Sequence, residues 1–161
     1  MRPTALRIAE GLISSARCSA RPMPRVRDKV RRLGLAYQAN VKKELTKTAA
    51  ENNLVLESEP WFAFTDKWGR GQAVPDFVIL VDDIALIIEV KLSWVPMAGD
   101  KLLGLYAPVV GMALGRRTKL LVICKHMAPG VIAVTRSLRS AIDLNASVPT
   151  LQWLGRGGIT W

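Results

Sequence analysis

Residues 75–91, PDFVILVDDIALIIEVK, constrain the fold more tightly than any other part of the chain. Two apolar runs, 77–81 and 84–90, are rich in β-branched residues and separated only by Asp82-Asp83. Short runs of that composition, bounded by polar residues, read as the two strands of a hairpin. Asp-Gly would suit the turn better, but Asp tolerates left-handed geometry. A two-residue turn pairs Val81 with Ile84 and, counting back, Asp76 with Glu89. Residues directly opposite lie roughly 4.5–5.5 Å apart at Cβ. Side chains alternate along a strand, so Glu89 and Lys91 share one face and Val90 points to the other. Two carboxylates and an ammonium therefore converge at one end of an apolar hairpin. Like charges opposite each other destabilise a sheet. A divalent cation and Lys91 would together offset that repulsion.

The flanking sequence supplies further elements in order. Residues 26–52 read as a long helix, with Val30, Leu33, Tyr37, Val41, Leu45 and Thr48 on one face. Lys42 and Lys43 fall off that stripe, whereas Glu44 projects close to it. Residues 54–57 and 61–65 read as strand material interrupted by Pro60. Residues 66–71 read as a turn-rich loop carrying Lys67, Trp68 and Arg70, leading into Asp76 and so placed beside it. Residues 93–96 are a stop, and a helix follows over about 101–114, with Pro108 marking a kink or a late start. Gly115-Arg116-Arg117 ends it. A buried strand at 118–124, a helix at 135–144 and a short strand at 150–154 complete the chain. The expected fold class is α/β, a mixed central sheet flanked by helices.

Pro75-Asp76, then the residues 77–88, then Glu89-Val90-Lys91 resembles the PD-(D/E)XK signature of the restriction-endonuclease-like nuclease superfamily. The resemblance covers roughly residues 34–124 and is specific only at the motif. It implies a restriction-endonuclease-like core and metal-dependent hydrolysis of phosphodiester bonds in DNA, of the endonuclease or junction resolvase type. It also implies a catalytic set of Asp76, Glu89 and Lys91. Oxygen ligands without histidine suit Mg²⁺ or Mn²⁺. Asp76, Glu89 and the carbonyl of Val90 would hold the ion. Lys91 would orient a water, help deprotonate it, or neutralise developing charge. Related nucleases often carry a glutamate on the first helix. Gly34, Tyr37 and Gln38 resemble that glycine–aromatic–glutamate pattern, but with an amide at the acid's place. Gln38, Glu44 or a water would then complete the site. Related nucleases also often place Gln and Tyr on the helix after the motif; here Tyr106 fits, and Lys101 lies near the position of the missing Gln.

The formal net charge of +10 on 161 residues makes a polyanion the expected partner, and DNA fits the motif. Lys42, Lys43, Lys67, Arg70, Lys101, Arg116 and Arg117 are the expected phosphate contacts, and Trp68 a stacking group. The plainer alternative for these is a solvated basic surface. Two cysteines and one histidine argue against a disulfide framework and a structural zinc site, and favour an intracellular setting, cytoplasmic or nucleoid-associated. No apolar run has the length of a membrane span, so no membrane association is expected. Residues 1–25 read as a basic arm or short helix (4–16), with a mitochondrial transit peptide as the secondary reading. Residues 26–161 form the single nuclease-like domain. Its small size implies a homodimer or a larger nuclease, replication or packaging complex. The competing function is a weak or inactive DNA-binding or assembly module on the same fold.

Overall fold

The computed structural model describes residues 13, 15–19, 29–131 and 134–161. Its centre is the 75–91 hairpin. Strand β5 (Phe77–Val81) pairs antiparallel with β6 (Ile84–Ser93), with Val81 opposite Ile84 and Phe77 opposite Ile88. The register is the one expected from a two-residue turn, and Asp82 takes the left-handed conformation at φ 49°. From Phe77 to Ile79 and from Ala85 to Val90 every residue is buried. That is the pattern of strands covered on both faces.

Six strands form the main sheet, in the order β2-β5-β6-β7-β9-β8. Strand β2 (Val55–Ser58) is antiparallel to β5, whereas β7 (Arg117–His126) runs parallel to β6. Strands β8 (Val134–Thr135) and β9 (Thr150–Gln152) extend the parallel half. The sheet is therefore mixed, with helices packed on both faces.

Helix α1 (Lys29–Glu51) covers one face. Tyr37, Val41 and Leu45 pack against Phe77, Ile79, Leu86, Ile88 and Val90. Burying a residue of the Leu or Ile class contributes about 1.5–3 kcal/mol, so this stripe holds the helix whatever its many lysines do. Leu33, expected on the buried face, is instead exposed, Val30 lies outside the described side chains, and Tyr37, Val41, Leu45 and Thr48 are buried as expected. Helix α4 (Leu138–Asp143) shares this face and is capped by Ser137, whose hydroxyl accepts from the Ser140 N–H.

The other face is covered by α2 (Pro96–Lys101) and α3 (Ala107–Leu114), joined by a π-helical turn, Leu102–Tyr106. The helix starts earlier than expected, because Pro96 occupies its first turn, where a missing N–H costs nothing. Pro108 does not break it. The wider π-turn lies just before Pro108, whose ring would clash with a carbonyl one turn back. Gly115, left-handed at φ 60°, closes α3.

A second, three-stranded sheet holds β1 (Ser15–Ser19), β3 (Trp61–Asp66) and β4 (Gly69–Ala73), in the order β1-β3-β4. Three expectations are corrected here. Pro60 does not interrupt one strand; it lies between β2 and β3, which belong to different sheets. Residues 69–71 are strand rather than loop, because Gly71 leaves the space that the Phe64 ring fills. A Cβ at Gly71 would stand 2.5 Å from Phe64 Cζ. Residues 15 and 16, expected at the end of a helix, are strand; the remainder of that helix, 4–14, falls outside the described residues except for the buried Ile13.

Candidate active site

The antiparallel ladder ends at Phe77–Ile88, and Asp76 sits in a bend just past it. Its backbone carbonyl accepts from the Glu59 N–H at 2.8 Å, which ties the bend to the end of β2. Asp76 Oδ2 accepts from the Val90 N–H at 2.6 Å, and Oδ1 accepts from Gln38 Nε2 at 3.1 Å. The carboxylate is thus held by β6 on one side and by α1 on the other.

Glu89 points from β6 toward the α2–α3 layer and is 1% exposed. Its Oε1 takes two cations, Lys91 Nζ at 2.8 Å and Lys101 Nζ at 3.3 Å. Its Oε2 is buried with no hydrogen-bond partner among the described residues. Lys101, the last residue of α2, also lies 4.7 Å from the centre of the Tyr106 ring. The Tyr106 hydroxyl donates to the Val74 carbonyl at 2.7 Å, fixing the segment that enters Asp76 from β4.

The electrostatics follow from burial. Loss of water and the nearby Glu89 push the Asp76 carboxyl up to about 7; the Val90 N–H, Lys91 and Lys101 oppose them without prevailing. Burial works against the Lys91 ammonium, but Glu89 and Asp76 together outweigh it and hold its pKa above the usual lysine value. Lys91 is therefore a cation and a hydrogen-bond donor at neutral pH. Tyr106 is raised by burial and by both carboxylates, so it stays a neutral phenol. Burial pushes the Cys124 thiol up to about 11, which removes it as a nucleophile.

Asp76, Glu89, Val90, Lys91, Gln38 and Lys101 come together, and Val90 contributes its N–H to Asp76. Glu44 does not join them. It stands six residues beyond Gln38, about 9 Å along the helix axis, and lines a groove of about 510 Å³ against Gly158, Ile159, Thr160 and Trp161. Arg116 and Arg117 lie at the opposite end of the hairpin, where Arg116 donates to the Asp82 carbonyl and Arg117 pairs with Asp83. Five residues of strand separate Ile84 from Glu89, about 17 Å, so neither arginine flanks the site. Lys67 and Trp68 form the β3–β4 turn, with Lys67 Nζ 5.0 Å from the exposed Trp68 ring. Strand β4, which carries Arg70, runs from that turn toward Asp76, so the turn is not adjacent to the carboxylates as expected. Lys42 and Lys43 are exposed on α1, the next turn after Gln38.

Lys101 is the member of the cluster that residue spacing alone placed least well. The sequence makes it a phosphate contact but does not link it to Glu89, and that link depends on a crossover no local pattern encodes.

Among the described residues no group of three or more His, Cys, Asp or Glu side chains gathers in one place. A cation here would have two carboxylates. The bare, buried Oε2 of Glu89 and the Asp76–Glu89 repulsion fit that use, because a divalent ion would satisfy the first and relieve the second. Compared with family models, curated proteins and solved structures, the chain matches none. No helix among the described residues is long and apolar enough to cross a membrane.

Proposed function

We propose that the protein is a metal-dependent deoxyribonuclease of the PD-(D/E)XK, restriction-endonuclease-like kind, cutting phosphodiester bonds as an endonuclease or junction resolvase. The observation that carries this reading is the meeting of Asp76, Glu89 and Lys91 at a buried hairpin end, with one carboxylate oxygen left bare. Asp76 and Glu89 would hold Mg²⁺ or Mn²⁺, with the Val90 carbonyl and Gln38 completing the shell. When bound, the ion supplies positive charge to the phosphate and makes a water easier to deprotonate.

The chain's own groups do the rest. Glu89 is shielded from bulk water, whereas Asp76 is half-buried and open to a substrate. Lys91, held as an ammonium by Glu89 and Asp76, donates to the attacking water or to a phosphate oxygen, and neutralises charge as it develops. The water oxygen bonds to phosphorus as an ester P–O bond breaks, and the proton that the water gives up ends on the departing oxygen. The surplus of Lys and Arg over Asp and Glu, 23 against 13, favours the approach of DNA.

A second reading, a weak or inactive DNA-binding or assembly module, has one observation in its favour. Glu89 already holds two ammoniums, Lys91 and Lys101, without any ion. Labelled duplex, single-stranded, nicked, flapped and four-way DNA incubated with Mg²⁺ or Mn²⁺, with an EDTA control, separates the two. Ion-dependent cleavage of any substrate is expected. DNA binding that weakens with salt but gives no product with either ion establishes the module instead.

A further inference from the structure

Glu89 is served unevenly. Both cations crowd Oε1, and Oε2, equally buried, receives none among the described residues. Of the two, Lys101 makes the longer contact, 3.3 Å against 2.8 Å for Lys91. It also has a second support, because its ammonium lies against the Tyr106 ring face, a favourable seat that does not need Glu89. Tyr106 is itself anchored to Val74. Lys101 is therefore the cation that can leave Glu89 at the smaller loss. Lys91 is bound to the same strand two residues away and has less freedom to depart.

Charge counting says when it should leave. With both acids ionised, Asp76 and Glu89 balance Lys91 and Lys101. A divalent cation on the carboxylates adds two positive charges to a partly desolvated site. Lys101 and the cation then compete for Glu89, and the surplus positive charge calls for an anion.

We propose that Lys101 is an exchangeable phosphate-binding residue: it rests on Glu89 in the ion-free site and swings to a substrate phosphate once the carboxylates hold a divalent cation. This inference rests on the nuclease reading above. It assigns Lys101 two effects of opposite sign. Lys101 opposes the ion in the absence of DNA and favours DNA in the presence of the ion. A lysine with a purely structural role gives the first through its charge alone, but not the second.

The test uses the full chain and the variants Lys101→Met and Lys101→Arg, each checked by thermal melt. Mn²⁺ binding without DNA is measured by calorimetry, and steady-state cleavage on the substrate the parent prefers. Lys101→Met is expected to bind Mn²⁺ about threefold to fivefold more tightly, the scale of a partly exposed ion pair. Its KM for DNA should rise about tenfold, with a smaller change in kcat. Lys101→Arg should restore KM. If Lys101→Met melts early, Lys101→Gln replaces it with the same two readouts. Unchanged or weaker Mn²⁺ binding in the folded neutral variant, or an unchanged KM, overturns the proposal while leaving the nuclease reading intact. A parent protein that neither binds Mn²⁺ nor cleaves DNA removes the reading itself, and this inference with it.

Discussion

The two ends of the β5–β6 hairpin are built from the same kinds of residue and behave in opposite ways. At the turn end, Asp83 meets Arg117 through two hydrogen bonds, at 2.6 Å and 3.1 Å, with side chains 64% and 72% exposed. The hydrogen bond from Arg117 holds the Asp83 carboxyl below its ordinary value. At the open end, Glu89 is closed off from water, and burial and Glu89 raise Asp76. A carboxylate beside a cation in water is comfortable and contributes little. A carboxylate beside another carboxylate away from water is costly, and the site around it answers that cost. Only the second end has reason to bind something.

Breaking the open end should have the largest effect. Asp76→Asn, Glu89→Gln and Lys91→Ala should each lower cleavage by about 10³-fold or more, and any two together by little beyond one alone. The three serve a single assembly, so their losses are not additive. All three should stay folded, and the two acid variants should lose Mn²⁺ binding in calorimetry while Lys91→Ala largely keeps it. Parent-like cleavage in the set would place the chemistry elsewhere.

The next effect is on stability and carries a sign. In the unfolded chain Asp76 has the ordinary carboxylate value of 3.8; burial beside Glu89 pushes it up to about 7 in the folded one. Between those values the folded state holds a proton that the unfolded state has lost. Stability of the ion-free protein should therefore fall as pH rises from about 4 to about 7, and level off above. The loss attributable to Asp76 is on the order of 2–4 kcal/mol. Asp76→Asn should flatten the decline, and saturating Mg²⁺ should restore stability at pH 8. Melting temperatures against pH, with and without Mg²⁺, read all of this; a parent that grows more stable from pH 4 to 7 by the amount Asp76→Asn loses would reverse the assignment.

The smallest effect belongs to the turn end. Arg117→Ala should leave cleavage, DNA affinity and melting temperature within error, since an exposed pair is screened by water and salt. A clear drop in DNA affinity would mean that bound DNA reaches the full length of the hairpin, and would sharpen the contrast into a division between binding and chemistry.

Much of the site was legible because it is local. A hairpin with a two-residue turn carries its own register, so Asp76, Glu89 and Lys91 followed from counting. Gln38, Glu44 and a water stand as alternatives in the sequence, Gln38 by its place after Gly34 and Tyr37 and Glu44 by lying near the apolar stripe of α1. What separates them is where the helix crosses the hairpin, and a helix's own periodicity is silent on that. The Pro96 start is local, a proline where the first turn tolerates one, whereas the π-turn before Pro108 packs against β6. The small sheet was missed because β1 pairs with β3 across a long stretch of chain, and because a strand with glycines at 69 and 71 has a loop's composition. Gly71 makes sense only opposite Phe64, whereas Gly69, at φ 102°, serves the turn opposite Asp66.

The topology also orders the site in time. Asp76 and Val90 are 14 residues apart and meet when the hairpin closes, a short loop with little entropy to lose. At that stage the carboxylates are still wet, and their repulsion is weak. The parallel partner of β6 arrives later, because Arg117 pairs with Ile84 only after the whole α2–α3 crossover has been laid down. Docking of that crossover is what dries Glu89 and brings Lys101 to it. The electrostatic penalty of the pair therefore falls on a late folding step, and the lysine that relieves it travels in on the same element that imposes it.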